Sequence, residues 1–307
     1  MEIRERYIGA LLGLAVGDAL GVTLEFQAPG TFAQITDMTG GGPSQLKPGQ
    51  WSDDTSMCLL LCESLLARNG HDPTDQLERY VRWYREGYLS STGYCIDIGK
   101  TTRIALERFE RDKSVMAANL SRSSGNGSIM RLAPVPLFYA NSPDIAVAKS
   151  GESSLTTHAS KECADACRFF GALVVGAVQG ASKEDILSAT NKLLATAHSC
   201  CRFHPEIVLL IQGSYKTKSP PDIKGSGYVV ASLEAALWAF YHAESFEEGV
   251  LLAVNLGDDA DTTGAIYGQL AGAYYGCSAI PAHWQDKIFH KQLICSYAEQ
   301  LYEKTQV

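Results

Sequence analysis

Two short stretches of the sequence place adjacent carboxylates and hydroxyl groups beside apolar segments with helical spacing. The first is residues 51–55 (Trp-Ser-Asp-Asp-Thr), and the second is residues 257–264 (Gly-Asp-Asp-Ala-Asp-Thr-Thr-Gly). Apolar residues at 250–254 and 265–270 flank the second stretch, so its acids interrupt a helical core layer. Oxygen ligands held between buried helices favour a hard divalent cation.

The second stretch also has a plainer interpretation. Asp261 or Thr262 would accept backbone N–H bonds as the N-cap of the following helix. That interpretation leaves the other acids unexplained. An EF-hand loop fits poorly, since Ala260 stands where that loop needs a ligand and no bidentate Glu follows at the required distance. The cap and the metal site both remain hypotheses from this stretch alone.

A shared site would bring together acids from both stretches and the acid that ends the apolar segment after Asp18. The five candidates are Glu25, Asp53, Asp54, Asp259 and Asp261. Desolvated like charges repel one another, so these acids either are scattered on the surface or are neutralised by about two divalent ions. We favour the ions.

Five motifs in a fixed order make the sequence resemble the ADP-ribosylglycohydrolase family. They are residues 17–21 (Gly-Asp-Ala-Leu-Gly) with Glu25, residues 51–55, residues 125–131 (Gly-Asn-Gly-Ser-Ile-Met-Arg), residues 157–158 (Thr-His) and residues 257–263. The match spans nearly the whole chain. It is especially close to the branch of the dinitrogenase-reductase-activating glycohydrolases, which remove ADP-ribose from arginine.

The resemblance implies a dinuclear site for two divalent cations, Mg²⁺ or Mn²⁺. The implied ligands are Ser52, Asp53, Asp54, Asp259, Asp261 and Thr262. Asp258 is an additional acid outside this set. Two such ions would hold a water and the ribose hydroxyls while the glycosidic bond breaks. Carboxylates committed to metal are poor proton donors, so Glu25 is the expected proton-handling residue, with Asp54 and Asp97 also expected in catalysis.

The resemblance also implies which residues bind the substrate. The set is Asp97, Gly99, Gly125, Asn126, Gly127, Ser128, Met130, His158 and Tyr228. From its sequence alone the small-residue loop 121–128 is better interpreted as a plain connector. The resemblance implies that it opens a helix and binds the ADP-ribose, with backbone N–H groups that can hold phosphate oxygens. His158 alone would fit an ordinary core histidine, and Tyr228 would fit either core packing or stacking on adenine or ribose.

The expectation that arginine is the leaving group depends on Asp97. Residues 97–102 (Asp-Ile-Gly-Lys-Thr-Thr) resemble a motif of the arginine-directed branch, in which the acid faces the target guanidinium. A carboxylate can accept two parallel N–H bonds from that planar cation, whereas a serine-linked substrate offers nothing comparable. The alternative is that Asp97 caps the helix that runs to Phe109.

The elements that position these residues all have helical periodicity. Such periodicity occurs in residues 7–16, 57–65, 77–84, 101–109, 163–178, 186–195, 207–211, 228–241 and 289–302, without sustained strand-like alternation. The sequence therefore predicts an all-α fold. Metal stretches lie on both sides of the best boundary candidate, the loop 213–227, so we expect one multi-helix domain over residues 1–307.

The first helix carries glycine at every fourth position, at Gly9, Gly13, Gly17 and Gly21. One face of the helix is therefore bare, and another backbone can approach it closely. We expect this contact to bring Asp18 and Glu25 inward. Residues 29–49 are rich in Gly and Pro and predict a long loop that leads to the first metal stretch, where Ser52 or Asp53 would cap the next helix.

Composition limits the classes of partner. The chain has 307 residues, of which 46% are hydrophobic and 20% charged, and a formal net charge of −8 with dispersed Lys and Arg. This charge argues against a nucleic-acid partner and favours a protein or small-molecule substrate. The nine cysteines, without a secretory leader, predict reduced thiols and a cytoplasmic protein. A zinc site at His198, Cys200 and His204 lacks the paired-Cys spacing of zinc modules.

Three functional classes follow. The first is a hydrolase acting on an ADP-ribosylated protein, arginine-linked, or on a serine-linked or small ADP-ribose conjugate. The second is a binding module that holds ADP-ribose without turnover, which the complete ligand set disfavours. The third is a magnesium-dependent phosphoester hydrolase, for which the sequence offers no separate nucleophile and no basic clamp. The apolar segment 7–16 is too short to span a membrane.

Overall fold

The computed structural model describes residues 1–118, 124–188 and 202–306. Within these ranges the regular structure is helical, and strand pairing is limited to two isolated bridges, Gly41 with Leu46 and Gly125 with Tyr228. The predicted all-α class is confirmed. In the same ranges, no helix has the length and apolar character needed to cross a membrane.

Fourteen α-helices lie in the described ranges. They are α1 (Ile3–Gly21), α2 (Asp53–Arg68), α3 (Pro73–Glu86), α4 (Lys100–Asp112), α5 (Pro134–Phe138), α6 (Pro143–Leu155), α7 (Lys161–Val178), α8 (Lys183–Ile186), α9 (Pro205–Ile211), α10 (Val229–His242), α11 (Phe246–Val254), α12 (Ala260–Tyr275), α13 (Ala282–Gln285) and α14 (Lys291–Lys304). Short 3₁₀ turns occupy Ser214–Lys216 and Cys277–Ala279. The helix expected at 186–195 corresponds only to the end of α8, and residues 189–201 lie outside the described part.

Helices α1 and α12 pack against each other along two matching glycine stripes. Gly9, Gly13 and Gly17 face Gly272, Gly268 and Gly264, one pair per helical turn. A Cβ on Gly264 would lie 2.5 Å from the carbonyl oxygen of Gly17, which no side chain tolerates. The close backbone contact predicted from the first helix is therefore confirmed, and its partner is the helix that begins in the second acidic stretch.

The main apolar core surrounds this helix pair and includes the inner faces of α7 and α10. A second cluster joins α2, α3 and α4 through Leu60, Leu77 and Leu106, all fully buried. The predicted apolar face of residues 77–84 is confirmed at Leu77 and Tyr80, while Val81 and Tyr84 are only partly buried. The main core includes residues of both α2 and α12, and the second cluster packs against α2 from another side.

The start of α2 is capped from a distant helix. Ser52 occupies the N-cap position, but its hydroxyl donates to Asp54 Oδ2 at 2.9 Å. Asp18 Oδ1 accepts the Ser52 N–H at 2.8 Å, and Asp18 Oδ2 accepts the Thr55 N–H at 3.0 Å and its hydroxyl at 2.6 Å. The expected cap at Ser52 is confirmed in position but makes no side-chain capping bond, because the Asp18 carboxylate of α1 already satisfies these donors.

Candidate active site

Buried carboxylates from separate elements meet where α1 ends and α2 and α12 begin. Carboxylate oxygens of Asp18, Asp54 and Asp261 lie within 4.8 Å of one another. A second group, Glu25, Asp97 and Asp261, satisfies the same distance, so Asp261 joins the two groups. Glu25 is 4% exposed, and Asp18, Asp54 and Asp261 are fully buried. Acids from distant parts of the sequence therefore lie together at one place in the fold.

The remaining predicted ligands lie at the edge of this acid cluster. Asp53 is 5% exposed, and Asp259 Oδ2 accepts a hydrogen bond from Asn126 Nδ2 at 2.7 Å. Asp259 occupies the N-cap position of α12 without a side-chain capping bond. Asp261 and Thr262 are inside the first turn of α12, and Asp261 Oδ1 accepts the Thr262 N–H at 2.9 Å. The interpretation of Asp261 or Thr262 as a simple N-cap was therefore wrong.

Burial and mutual repulsion set the protonation of these acids. Burial, then the neighbouring Asp97, raises the pKa of Glu25 to about 9. Burial raises the pKa of Asp18 to about 6 against the opposing effect of its hydrogen bonds with Thr55 and Ser52. Burial and nearby carboxylates also raise the pKa of Asp54 well above its ordinary value. Without a cation, burial and mutual repulsion therefore oppose full ionisation of this cluster near neutral pH.

The donor set fits a hard cation. Asp54 Oδ1 and Asp261 Oδ2 are buried and have no hydrogen-bond partner in the described part of the chain. A buried charged oxygen without a partner is costly, and a divalent cation supplies the missing interaction. Every nearby ligand atom is a carboxylate or hydroxyl oxygen, the donors that Mg²⁺ and Mn²⁺ prefer. Asp18 was not among the predicted ligands, although its place in the 17–21 motif was the available signal.

A pocket of about 240 Å³ opens beside the acids. Its wall includes the predicted acids Glu25, Asp53 and Asp259 together with Thr262. The predicted substrate residues in its wall are Asp97, Gly99, Gly125, Asn126, Gly127, Met130 and His158. The tertiary structure thus brings segments around residues 25, 53, 97, 126, 158 and 259 to one cavity.

Two predicted substrate residues have side chains elsewhere. Ser128 is 2% exposed, and its hydroxyl accepts a hydrogen bond from Ser154 Oγ at 2.8 Å. Tyr228 donates its hydroxyl hydrogen to Glu206. The backbone beside Tyr228 still supports the pocket, because Asn126 N–H donates to Gly227 O at 3.1 Å.

The small-residue loop does not open directly into a helix. Residues 127–131 form turns, and the next helix, α5, starts at Pro134. Its expected helix N-terminus was therefore wrong, and residues 119–123 lie outside the described part. Among the described residues, the backbone N–H groups of Gly127 and Ser128 have no hydrogen-bond acceptor, so this turn still offers donors to an anion.

Asp97 is in the pocket wall and does not cap α4. The N-cap of α4 is Gly99, so the capping alternative was wrong. Asp97 has φ of 55°, a left-handed conformation that costs a non-glycine residue about 1–3 kcal/mol. One of its carboxylate oxygens lies within 4.8 Å of carboxylate oxygens of Glu25 and Asp261. Burial followed by Asp259 raises the pKa of Asp97 to about 6. This conformation turns the carboxyl group toward the acid cluster.

Asp258, the acid outside the predicted ligand set, has a structural place. Its N–H donates to Gln27 O at 2.8 Å, and its carbonyl accepts the Phe26 N–H at 2.6 Å. These bonds tie the segment after Glu25 to the start of α12. For the zinc alternative, His198 and Cys200 lie outside the described residues, and His204 Nε2 lies 3.6 Å from Glu162 Oε1.

The family model of the ADP-ribosylglycohydrolases matches residues 1–307. The chain belongs to the ADP-ribosylglycohydrolase family. It is 44% identical over 303 residues to "ADP-ribosylarginine hydrolase Tri1" of Serratia proteamaculans (strain 568), covering 98% of this chain and 80% of that protein. It is 34% identical over 291 residues to "ADP-ribosyl-[dinitrogen reductase] glycohydrolase" of Rhodospirillum rubrum, covering 94% and 91%.

A solved structure titled "ADP-ribosylglycohydrolase-related protein complex" superposes on this chain with a TM-score of 0.87. The two chains are 43% identical, and the alignment covers 99% of each. The family member described here is accordingly an enzyme, a hydrolase, and it is similar to a protein named for ADP-ribosylarginine hydrolysis. The family and branch expected from the five motifs are confirmed.

Proposed function

We propose that this family member hydrolyses the N-glycosidic bond between ADP-ribose and an arginine side chain of a modified protein, in a reaction that depends on divalent metal. The observation that carries the proposal is the position of Asp97, which lies beside Glu25 in the wall of a pocket that the 125–127 loop also lines. A carboxylate there matches a guanidinium leaving group in charge and shape. The arginine-directed names of two similar proteins support the same substrate.

The metal ligands that we propose are Ser52, Asp53, Asp54, Asp259, Asp261 and Thr262. When bound, Mg²⁺ or Mn²⁺ would neutralise these acids and polarise the oxygen atoms of water and of the ribose hydroxyls. Asp18 supports the set from behind, because its two carboxylate oxygens fix the backbone at Ser52 and Thr55.

Glu25 handles the proton in this proposal. The reaction forms a bond between water oxygen and the anomeric carbon and breaks the bond from that carbon to the guanidine nitrogen. One water proton must leave the oxygen, and the departing guanidine must gain one to become guanidinium. Glu25 can carry this proton because its carboxyl group lies in the pocket wall close to Asp97 and is not one of the proposed metal ligands.

Asp97 holds the leaving group. Its carboxylate would accept two N–H bonds from the guanidinium and keep the glycosidic bond near Glu25. In the same pocket, the 125–127 loop and His158 would bind the diphosphate of ADP-ribose through N–H groups. Asp97 would thus bind the cationic guanidinium of the substrate, and the loop with His158 would bind its anionic diphosphate.

Both halves of the chain supply parts of this site, so we infer one domain over residues 1–307. We also infer that the protein works in the cytoplasm, since nine cysteines suit a reducing compartment. The substrate would be an arginine-linked ADP-ribosylated protein or a small ADP-ribose conjugate.

The direct test is incubation with ADP-ribosyl-arginine in the presence of Mg²⁺ or Mn²⁺ and, separately, of a chelator. Release of free ADP-ribose with metal alone supports the proposal. Release of AMP would identify a phosphoester hydrolase instead, and binding without turnover would identify a binding module. Faster turnover of ADP-ribosyl-serine would overturn the arginine assignment while leaving a glycohydrolase.

The role of Asp97 has its own test. Asp97→Ala should lower kcat/KM for ADP-ribosyl-arginine about ten- to hundredfold, because a charged hydrogen bond contributes about 1.5–3 kcal/mol. The kcat/KM of the same variant for ADP-ribosyl-serine should fall much less. Asp112→Ala, a carboxylate at the exposed end of α4, is the matched control and should leave the kinetics unchanged. If kcat/KM of Asp97→Ala falls by the same factor for both substrates, Asp97 does not recognise the guanidinium.

A further inference from the structure

Arg131 is a fully buried cation that no acid in the described part of the chain pairs with. Its side chain is 0% exposed, and its guanidinium carbon lies 4.8 Å from the centre of the Tyr80 ring. The described ion pairs do not include it, and its Nε atom has no hydrogen-bond partner there. Burying a charge without a counter-charge is costly, so such a residue indicates a purpose other than stability.

The two terminal nitrogens of Arg131 contact two segments, Gly127 in the pocket wall and Thr157 beside the wall residue His158. Nη1 donates to the carbonyl oxygen of Gly127 at 2.6 Å, and Nη2 donates to Thr157 Oγ1 at 2.7 Å. The first bond holds the Gly127 carbonyl toward the protein interior. The backbone N–H groups of Gly127 and Ser128 then have no competing acceptor among the described residues.

The hydroxyl group of Thr157 links Arg131 to His158. Thr157 Oγ1 lies 2.9 Å from His158 Nδ1. Since the hydroxyl oxygen accepts from Arg131, its own hydrogen is available to Nδ1, and both the hydroxyl group and Nδ1 are then satisfied. The opposite arrangement, with a proton on Nδ1, would leave the buried hydroxyl hydrogen without an acceptor in the described structure, which is costly.

A neutral imidazole whose Nδ1 accepts must carry its proton on Nε2. Burial, then Arg131, lowers the pKa of His158 to about 3, which keeps the ring neutral. The ring lies against the pocket loop, since a Cβ on Gly125 would be 3.5 Å from Nε2 and a Cβ on Gly127 would be 2.8 Å from Cε1. The Nε2–H group is thus a fixed donor beside the free N–H groups of the turn.

We propose that Arg131 is a positioning residue that acts through Gly127 and Thr157 to aim the N–H groups of the 127–128 turn and of His158 at the diphosphate of the substrate. Its unpaired positive charge lies behind the same wall and favours a dianion in the pocket. The inference rests on the proposed function, because ADP-ribose is the ligand that brings this diphosphate. Adenosine lacks the diphosphate and is the reference ligand.

The experiment measures the Kd of ADP-ribose and of adenosine by calorimetry, together with the ¹⁵N spectrum of the histidines. In wild type, His158 should carry its proton on Nε2. Thr157→Val removes the hydroxyl at nearly constant volume and should weaken ADP-ribose binding about tenfold while leaving the Kd of adenosine unchanged. Thr157→Ser restores the hydroxyl and should restore both the affinity and the tautomer. Arg131→Met should weaken ADP-ribose binding at least as much as Thr157→Val.

Thr156→Val is the matched control. Thr156 is buried next to Thr157, but its hydroxyl donates to Ser153 O at 2.8 Å and lies away from the pocket. This variant should lose similar stability without losing ADP-ribose affinity. If Arg131→Met does not fold, the wild-type tautomer and the two Thr157 variants still test the idea.

A proton on Nδ1 of His158 in wild type would overturn the inference, and so would equal losses for ADP-ribose and adenosine in Thr157→Val. Unchanged ADP-ribose affinity in Thr157→Val would overturn it as well. If wild type binds neither ADP-ribose nor ADP, the proposed function fails first, and the two failures are thereby distinguishable.

Discussion

Replacing Asp54 by Asn should stabilise the metal-free protein and destabilise the metal-bound one. Asp54 is fully buried, and carboxylate oxygens of Asp18 and Asp261 lie within 4.8 Å of its own. Two unit charges at that separation repel by about 3 kcal/mol at an effective dielectric constant of about 20. Partial protonation relieves some of this repulsion, since the pKa of Asp54 is raised well above its ordinary value. We therefore expect a gain of about 1–3 kcal/mol.

Asn is the suitable substitution because it retains most of the local structure. Its amide oxygen can still accept the Ser52 hydroxyl, which donates to Asp54 Oδ2 at 2.9 Å. Its NH₂ group would take the place of Oδ1, an oxygen that has no partner in the described part of the protein. The substitution thus removes one charge and one unsatisfied acceptor at nearly constant volume.

The assay is thermal and urea unfolding at pH 8, once with chelator and once with saturating Mg²⁺ or Mn²⁺. With chelator, the Tm of Asp54→Asn should exceed that of wild type by a few degrees, and the difference should shrink at pH 5. With metal, wild type gains binding free energy that the variant lacks, so the order reverses. Turnover of ADP-ribosyl-arginine should be lost in the variant.

Asp165→Asn is the matched control. Asp165 is also fully buried, but it accepts Lys161 Nζ at 2.5 Å, Arg168 Nη1 at 2.6 Å and the His204 N–H at 2.7 Å. Removing its charge leaves these donors poorly satisfied, so the variant should lose stability in both buffers. If Asp54→Asn loses stability with chelator as Asp165→Asn does, the acids around Asp54 do not repel and the argument for a cation site fails.

Two further outcomes are expected. With chelator present, the free energy of unfolding of the wild type should decline between pH 5 and pH 9. The reason is that Glu25 has a folded-state pKa of about 9 against an ordinary value of 4.5. The stability that Glu25 contributes below its ordinary pKa is lost as the pH rises through its folded-state pKa. Saturating metal should flatten this decline, and a flat chelator profile in Tm measurements would contradict it. Gly264→Ala should lower the free energy of unfolding by more than about 2 kcal/mol, because its Cβ would overlap the Gly17 carbonyl. Gly176→Ala, whose Cβ would have only an ordinary 3.5 Å contact, should be neutral or stabilising by up to about 1 kcal/mol, so equal losses in urea titrations would refute the packing argument.

The sequence alone determined the helical class and the chemistry of the site. Helical periodicity is a local property of spacing, and it correctly located most helices, including those now bounded as α3, α4, α7 and α14. The glycine stripe of α1 predicted a close helix contact because a missing Cβ acts on any neighbour. The acids with adjacent hydroxyls indicated a hard-cation site because ligand preference depends on atom type.

Partners that are distant in the sequence were decided only by the tertiary structure. The cap of α2 comes from Asp18, 34 positions before Ser52, so no local rule for helix starts could assign it. The turn at 127–131, in place of a helix start, follows a residue, Asn126, whose N–H donates to the distant Gly227 carbonyl.

Arg131 shows the same limit for function. Its type and motif were visible in the sequence, but its role depends on the Gly127 carbonyl and the Thr157 hydroxyl reaching it inside the fold. The role of a buried charge depends on the groups that surround it. Burial strengthens each electrostatic interaction and also raises the cost of each interaction that is missing. Those surroundings exist only after the chain has folded.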